Sequence, residues 1–154
     1  MLTVNKQQTK VGLVVELGGA IEENVHFEQL IGNFQGQLIV NCRGVTRINS
    51  IGVKTWIRYF QNLKAQGKVF KFNDVSYPLI AQLNMISNFA CGGEVESILL
   101  PFSCIKCQNE FVASCKTSEL KANGLSIPRV KCEKQECAAK FDDDPEEYFY
   151  FLED

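Results

Sequence analysis

Several absences narrow the function before any motif is considered. No stretch approaches the roughly 18 consecutive apolar residues that cross a bilayer, so no membrane-spanning segment is expected. Met1–Lys10 is polar and lacks the apolar centre of an export signal, which makes the cytoplasm the expected location. Histidine occurs once, as His26. With no Ser, Cys or Asp at an interpretable spacing around it, it reads as a surface or core residue and not as a general base. There is no Gly-rich phosphate loop, internal repeat, low-complexity tract or Gly/Ser linker. No catalytic set is visible, and the expectation is a protein that is not an enzyme.

What is present is enough apolar material for a core: 45% of residues are hydrophobic and 22% charged. The first hundred residues alternate strand-like and helix-like patterns. Leu2–Asn5 and Val11–Leu17 read as strands joined by a turn over Lys6–Thr9, with Gly18-Gly19 marking a bend or bulge. Asn24 is placed to cap a short helix carrying Val25, Phe27, Leu30, Ile31 and Phe34, and Gln37–Cys42 reads as a buried strand. Val53, Trp56, Ile57, Phe60 and Leu63 then fall on one face of the clearest helix, closed by Gly67. Lys68–Phe72 alternates as a strand, Ser76 and Pro78 open a third helix, and Val95–Leu100 is a last strand. Strands separated by helices imply parallel pairing through crossovers. The expected fold class is α/β, a mostly parallel sheet with covering helices over residues 1–101. Residues 102–154 form a small extension of different composition.

That extension is defined by cysteine. Seven cysteines in a chain expected to be cytoplasmic point away from disulfides and towards metal ligation. Cys104-x-x-Cys107 and Cys132-x4-Cys137 lie 24 residues apart, the arrangement of a zinc ribbon, in which two tight turns converge on one tetrahedral ion. Phe102 and Phe111 can pack around the first turn, Val130 and Phe141 around the second. Four thiolates close the coordination shell, so the expected Zn2+ is structural. It would supply the stabilisation that residues 102–141 cannot obtain from so small a core. Cys115, eight residues beyond Cys107, is the one substitute ligand the sequence offers, but without a partner at turn spacing it reads as a bystander; Cys42 and Cys91 read as packing residues. Asp142–Leu152 reads as a helix capped by Asp144, with Pro145 first and Tyr148, Phe149, Phe151 and Leu152 docking inward.

The second informative site is Arg47-Ile48-Asn49-Ser50-Ile51-Gly52, between a buried strand and the strongest helix. Asn49 or Ser50 would cap that helix, and its free N–H groups would suit an anion. With the order of elements and Leu17-Gly18-Gly19-Ala20-Ile21, this turn resembles the STAS domain of bacterial anti-sigma factor antagonists, over residues 1–100. The resemblance implies a STAS-like fold and a non-enzymatic signalling role. It also implies a regulatory protein partner, anti-sigma-factor-like kinases among them, bound through Asn49, Ser50, Ile51, Gly52, Lys54 and Arg58. Ile51 stands where the family carries its phosphorylated hydroxyl and Asn49 where it carries aspartate, so no phospho-switch is expected.

Two other classes remain open. A small-ligand sensor would use the helix N-terminus at residues 49–52 for a nucleotide or anion. A nucleic-acid-binding ribbon conflicts with charge: residues 102–154 hold 7 Lys+Arg against 11 Asp+Glu, whereas residues 1–101 hold 9 against 7.

Overall fold

The computed structural model describes residues 1–132 and 138–153. Two sheets share one strand direction change. In the first sheet the order is β1-β2-β3-β4-β5, comprising β1 (Thr3–Gln8), β2 (Gly12–Ile21), β3 (Gln37–Ile48), β4 (Phe70–Asn73) and β5 (Glu94–Val95). The β1 strand is antiparallel to β2, and the remaining pairs are parallel. Helices α1 (Phe27–Ile31), α2 (Ser50–Ala65) and α3 (Tyr77–Met85) make the crossovers. The second sheet, β7-β6-β8, is antiparallel and consists of β6 (Ser97–Cys104), β7 (Glu110–Lys116) and β8 (Ala139–Phe141). Helix α4 (Thr117–Ala122) follows β7, and α5 (Pro145–Tyr148) ends in a 3-10 turn over Tyr150–Leu152. The expected α/β architecture with parallel strands and covering helices is present.

Several local expectations shift for identifiable reasons. Lys6–Gln8 are strand and not turn, because β1 pairs through Gln8↔Leu13 and the reversal occurs at Thr9–Val11. The Gly18-Gly19 pair does not end β2: the register slips on both sides of it, each time with one extra residue in β3, and Gly19 has φ +99°. Asn24 caps nothing; at φ +68° it sits in a turn, and α1 begins three residues later behind His26, an exposed residue with no capping bond. Ser76 occupies the N-cap of α3, yet its hydroxyl donates to Val45 O at 2.7 Å and ties the helix to β3. The C-terminal helix is a single turn, capped as expected by Asp144 Oδ1 accepting from Glu146 N at 3.0 Å.

The core of the parallel sheet is aromatic. Trp56 stacks on Phe89 at 5.2 Å with the rings 2° from parallel, and on Phe72 at 5.3 Å. Its indole N–H donates to Phe89 O at 3.0 Å, so the only polar atom of the ring is satisfied inside the core. Phe27, Tyr59, Phe60 and Phe70 complete the cluster. Burial also pushes the Tyr59 hydroxyl up to about 12. The C-terminal turn docks as its apolar side requires, with Tyr148, Phe149 and Leu152 buried. Asn84 of α3 clamps it, donating to Tyr148 O at 3.2 Å and accepting from Phe151 N at 2.8 Å.

Close approach at the start of α2 depends on Gly52, where a Cβ would lie 2.1 Å from Ile21 O on β2. Gly52→Ala must push the helix off the sheet, and a destabilisation of about 1–3 kcal/mol or more is expected from overpacking. Urea denaturation followed through Trp56 fluorescence measures it.

Candidate functional site

Two sites singled out by sequence are adjacent to strand ends. The first is the cysteine cluster. Strand β6 delivers Cys104 to a tight turn in which Cys104 N donates to Asn109 O and Gln108 N donates to Cys104 O, both at 2.9 Å. Gln108 closes the turn at φ +58°. Within it, Cys107 N lies 3.5 Å from Cys104 Sγ. On the other side of β6, Ala139 N donates to Val130 O at 2.9 Å, and Lys131 bridges Ala138. This narrow pairing brings Cys132 back towards the first turn.

The sulfurs of Cys104, Cys107 and Cys132 lie within 4.8 Å of one another, and Cys107 Sγ is 3.6 Å from Cys132 Sγ. Tetrahedral thiolates about 2.3 Å from one ion sit about 3.8 Å apart, so these three residues have the spacing to hold a metal ion. Cys137, the fourth expected ligand, lies outside the described residues. Cys104 is disulfide-bonded in this structure. A ligand sulfur must be a reduced thiolate, so that bond and metal ligation by Cys104 are mutually exclusive states. Two residues before Cys104, Phe102 is fully buried, stacked on Phe111 at 5.8 Å and edge-on to Phe141 at 5.7 Å.

The other cysteines are not part of this group. Cys115 projects half-buried from β7 opposite Ile98, and its thiol is pushed up by burial and then by Glu119. Cys42 is completely buried in β3, where desolvation raises its thiol far above the ordinary range. Cys91 is buried in the loop after α3, its thiol likewise raised by burial, against an opposing influence from Lys64. None has the lowered pKa that a nucleophilic cysteine needs.

The second site is the start of α2. Asn49 is the N-cap, and its Oδ1 accepts from Gly52 N at 2.8 Å. Its Nδ2 donates to Glu23 Oε1 at 3.0 Å, and Arg47 pairs with Glu22 at 3.0 Å. Ser50, Ile51, Lys54 and Arg58 are exposed together with Arg47, and Ile51 leaves 47% of its surface open. Gly52 is buried beneath them as the contact with β2. The structure therefore gathers five of the six expected partner-binding residues on or beside one exposed helix face and gives Gly52 a packing role.

Sequence reasoning missed a polar clasp between the two sheets. Asp74, at φ +49°, accepts through Oδ1 from Ser97 Oγ at 3.2 Å and from Ser114 Oγ at 2.5 Å, and its Oδ2 lies 3.6 Å from Arg43. Its own N–H donates to Ser97 Oγ at 2.8 Å. The one available signal was the turn-prone pair Asn73-Asp74 at the end of β4.

No model of a known protein family matches the chain, and no curated protein matches it. Among the described residues no helix is long and apolar enough to cross a membrane.

The cysteine geometry gives a direct test. After reduction, Co2+ titration is expected to develop thiolate-to-metal absorption at one equivalent. Cys107→Ser should weaken binding by more than the roughly 10–100-fold that outer-shell changes cost. Cys115→Ser should leave the titration unchanged.

Proposed function

We propose that the chain is a non-enzymatic regulatory interaction module of the STAS type, carrying a structural Zn2+ in its C-terminal lobe. One observation carries the interaction reading. Ser50, Ile51, Lys54 and Arg58 form an exposed face at the start of α2 in which an apolar side chain is surrounded by cations and hydroxyls. No ion pair is formed by Lys54 or Arg58 among the described residues. An exposed apolar residue within a charged rim is the layout of a protein contact, where the centre supplies affinity and the rim supplies orientation. The partner implied is a regulatory protein with an acidic surface. The antiparallel first strand followed by four parallel ones supports the STAS comparison, as does the glycine-dependent contact of α2 with β2.

Zinc is the metal best suited to the cluster, because a four-thiolate shell favours a soft-tolerant ion without geometric preference. Its role is structural: the lobe's largest apolar residues are few, and metal binding provides the folding energy. The anion-sensor reading has less support. The side chain of Asn49 already satisfies the Gly52 N–H, and the carboxylates of Glu22 and Glu23 stand beside the same helix end. An anion arriving there would meet like charge.

Two measurements test the proposal. Metal analysis of the protein purified under reducing conditions should return one zinc per chain, and an oxidised, zinc-free protein that is fully folded would overturn the structural role. A photo-crosslinker placed at Ile51 should capture a partner in the native cell, and Lys54→Glu should reduce that capture by at least about tenfold. The same probe at Val69, equally exposed but distant in the chain, should not. Equal capture from both positions sinks the surface assignment.

A further inference from the structure

Strand β7 is an edge. The second sheet runs β7-β6-β8, and β7 pairs with β6 over seven residues in unbroken register. Edge strands offer unpaired N–H and C=O groups, and proteins blunt them with proline, bulges or central charges. Glu110–Lys116 has no proline and no bulge, and its two charges stand only at its ends. Val112, near the middle, is 47% exposed.

Which main-chain groups face outward follows from Pro101, the partner of Val112 in β6. Proline has no N–H, and Pro101 O accepts from Asp142 N on the β8 side at 2.9 Å. Pro101 therefore turns both main-chain groups away from β7. In an antiparallel pair, opposed residues either both face each other or both face away. Val112 thus directs its N–H and C=O outward, and so do Glu110, Ser114 and Lys116, which alternate with it. No hydrogen bond beyond those with β6 uses the main-chain N–H or C=O groups of Glu110, Val112 or Ser114 among the described residues.

We propose that β7 is a self-association surface, pairing antiparallel with β7 of a second copy about a two-fold axis at Ala113. In this register the outward-facing groups meet as hydrogen-bonded pairs, Glu110 with Lys116 and Val112 with Ser114 of the second copy. The charges then fall opposite each other twice, glutamate on lysine and lysine on glutamate. Cross-strand pairs of opposite charge are stabilising and like charges destabilising. The main-chain parity admits this register, and the charge pattern selects it among those that parity allows. The occupant is consequently this chain, since the edge is its own complement. The other edges fit less well: β5 has two residues, β8 three, and β1 sets Lys6 against Asn5 in its own full-overlap register. A seam of seven residues is small, so the association is expected to be weak and concentration-dependent. It would join two three-stranded sheets into one of six strands.

Sedimentation velocity of the reduced, metal-loaded full chain tests this. A monomer–dimer equilibrium is expected. Glu110→Lys, which opposes lysine to lysine at both ends, should raise the dimer Kd by about tenfold or more. Glu110→Lys combined with Lys116→Glu should restore it, a rescue that a merely destabilised fold would not show. A second readout places Ala113→Cys on the axis in a Cys115→Ser background. Ala113 forms a non-hydrogen-bonded pair with its own copy, where Cα atoms approach to about 4.5 Å, within disulfide reach. A cross-linked dimer on non-reducing electrophoresis is expected. A chain that stays monomeric up to about 1 mM overturns the proposal. So does a dimer indifferent to Glu110→Lys, one not rescued by the double exchange, or one that Ala113→Cys fails to cross-link.

Discussion

The architecture turns on a single residue, Glu96, where one extended segment leaves the first sheet and enters the second. Its N–H donates to Phe72 O of β4 at 2.9 Å, while its C=O accepts from Thr117 N, after β7, also at 2.9 Å. One peptide later Ser97 O accepts from Val75 N at 3.1 Å, and Leu99 N returns the bond to Val75 O at 3.0 Å. Residues 94–104 thus act as a beam that is parallel-paired at one end and carries the cysteine turn at the other. Asp74 reinforces the junction by holding Ser97 and Ser114 from both strands of the hairpin. Both carboxylate oxygens are used, one by the two serine hydroxyls and the other facing Arg43.

Because the beam is shared, the cysteine lobe is not mechanically separate from the parallel sheet. Phe102, two residues before Cys104, touches Phe141, and Phe141 packs edge-on against Tyr148 at 5.3 Å and stacks on Phe149 at 5.9 Å. Tyr148 donates its hydroxyl to Leu99 O on the beam itself, and Asn84 holds the same turn against α3. A contiguous aromatic path runs from the sulfur cluster to α3. Residues from both sheets belong to one buried hydrophobic cluster, Leu120, Tyr148, Phe149 and Leu152 included. The lobe thus shares the core of its neighbour, and in the proposed reading a metal would add the remaining folding energy at its turns.

How much of this was legible in the sequence differs with range. Helix α2 was readable because its apolar face, its Asn49 cap and Gly67 at φ +76° all express local rules. The Cys104–Cys107 turn was readable for the same reason, since two-residue spacing imposes its own geometry. Failures came where a distant partner outbid a local preference. Ser76 would cap by sequence, yet Val45 O takes its hydroxyl. Gly18-Gly19 marks the bulge its composition suggests, yet pairing with β3 carries β2 past it to Ile21. Asp74 drew no reading from the sequence, because nothing local announces that Ser97 and Ser114 will converge on it. The change of composition at Pro101 is real, but β6 runs straight through it from Ser97 to Cys104.

The proposed partner surface and the helix end beneath it illustrate why a motif alone was insufficient. Gly52 has been read as part of a recognition sequence, but its requirement is steric, set by Ile21 O. Asn49 spends its oxygen on the helix and its amide nitrogen on Glu23. Arg47 is held by Glu22. What remains uncommitted at this end of the fold is Ser50, Ile51, Lys54 and Arg58, and these lie along a single exposed helix face. In the proposed reading, affinity would come from desolvating Ile51, and selectivity from the two cations, which a basic partner could not approach. On that same reading, Ile51 would make the contact a constitutive apolar one.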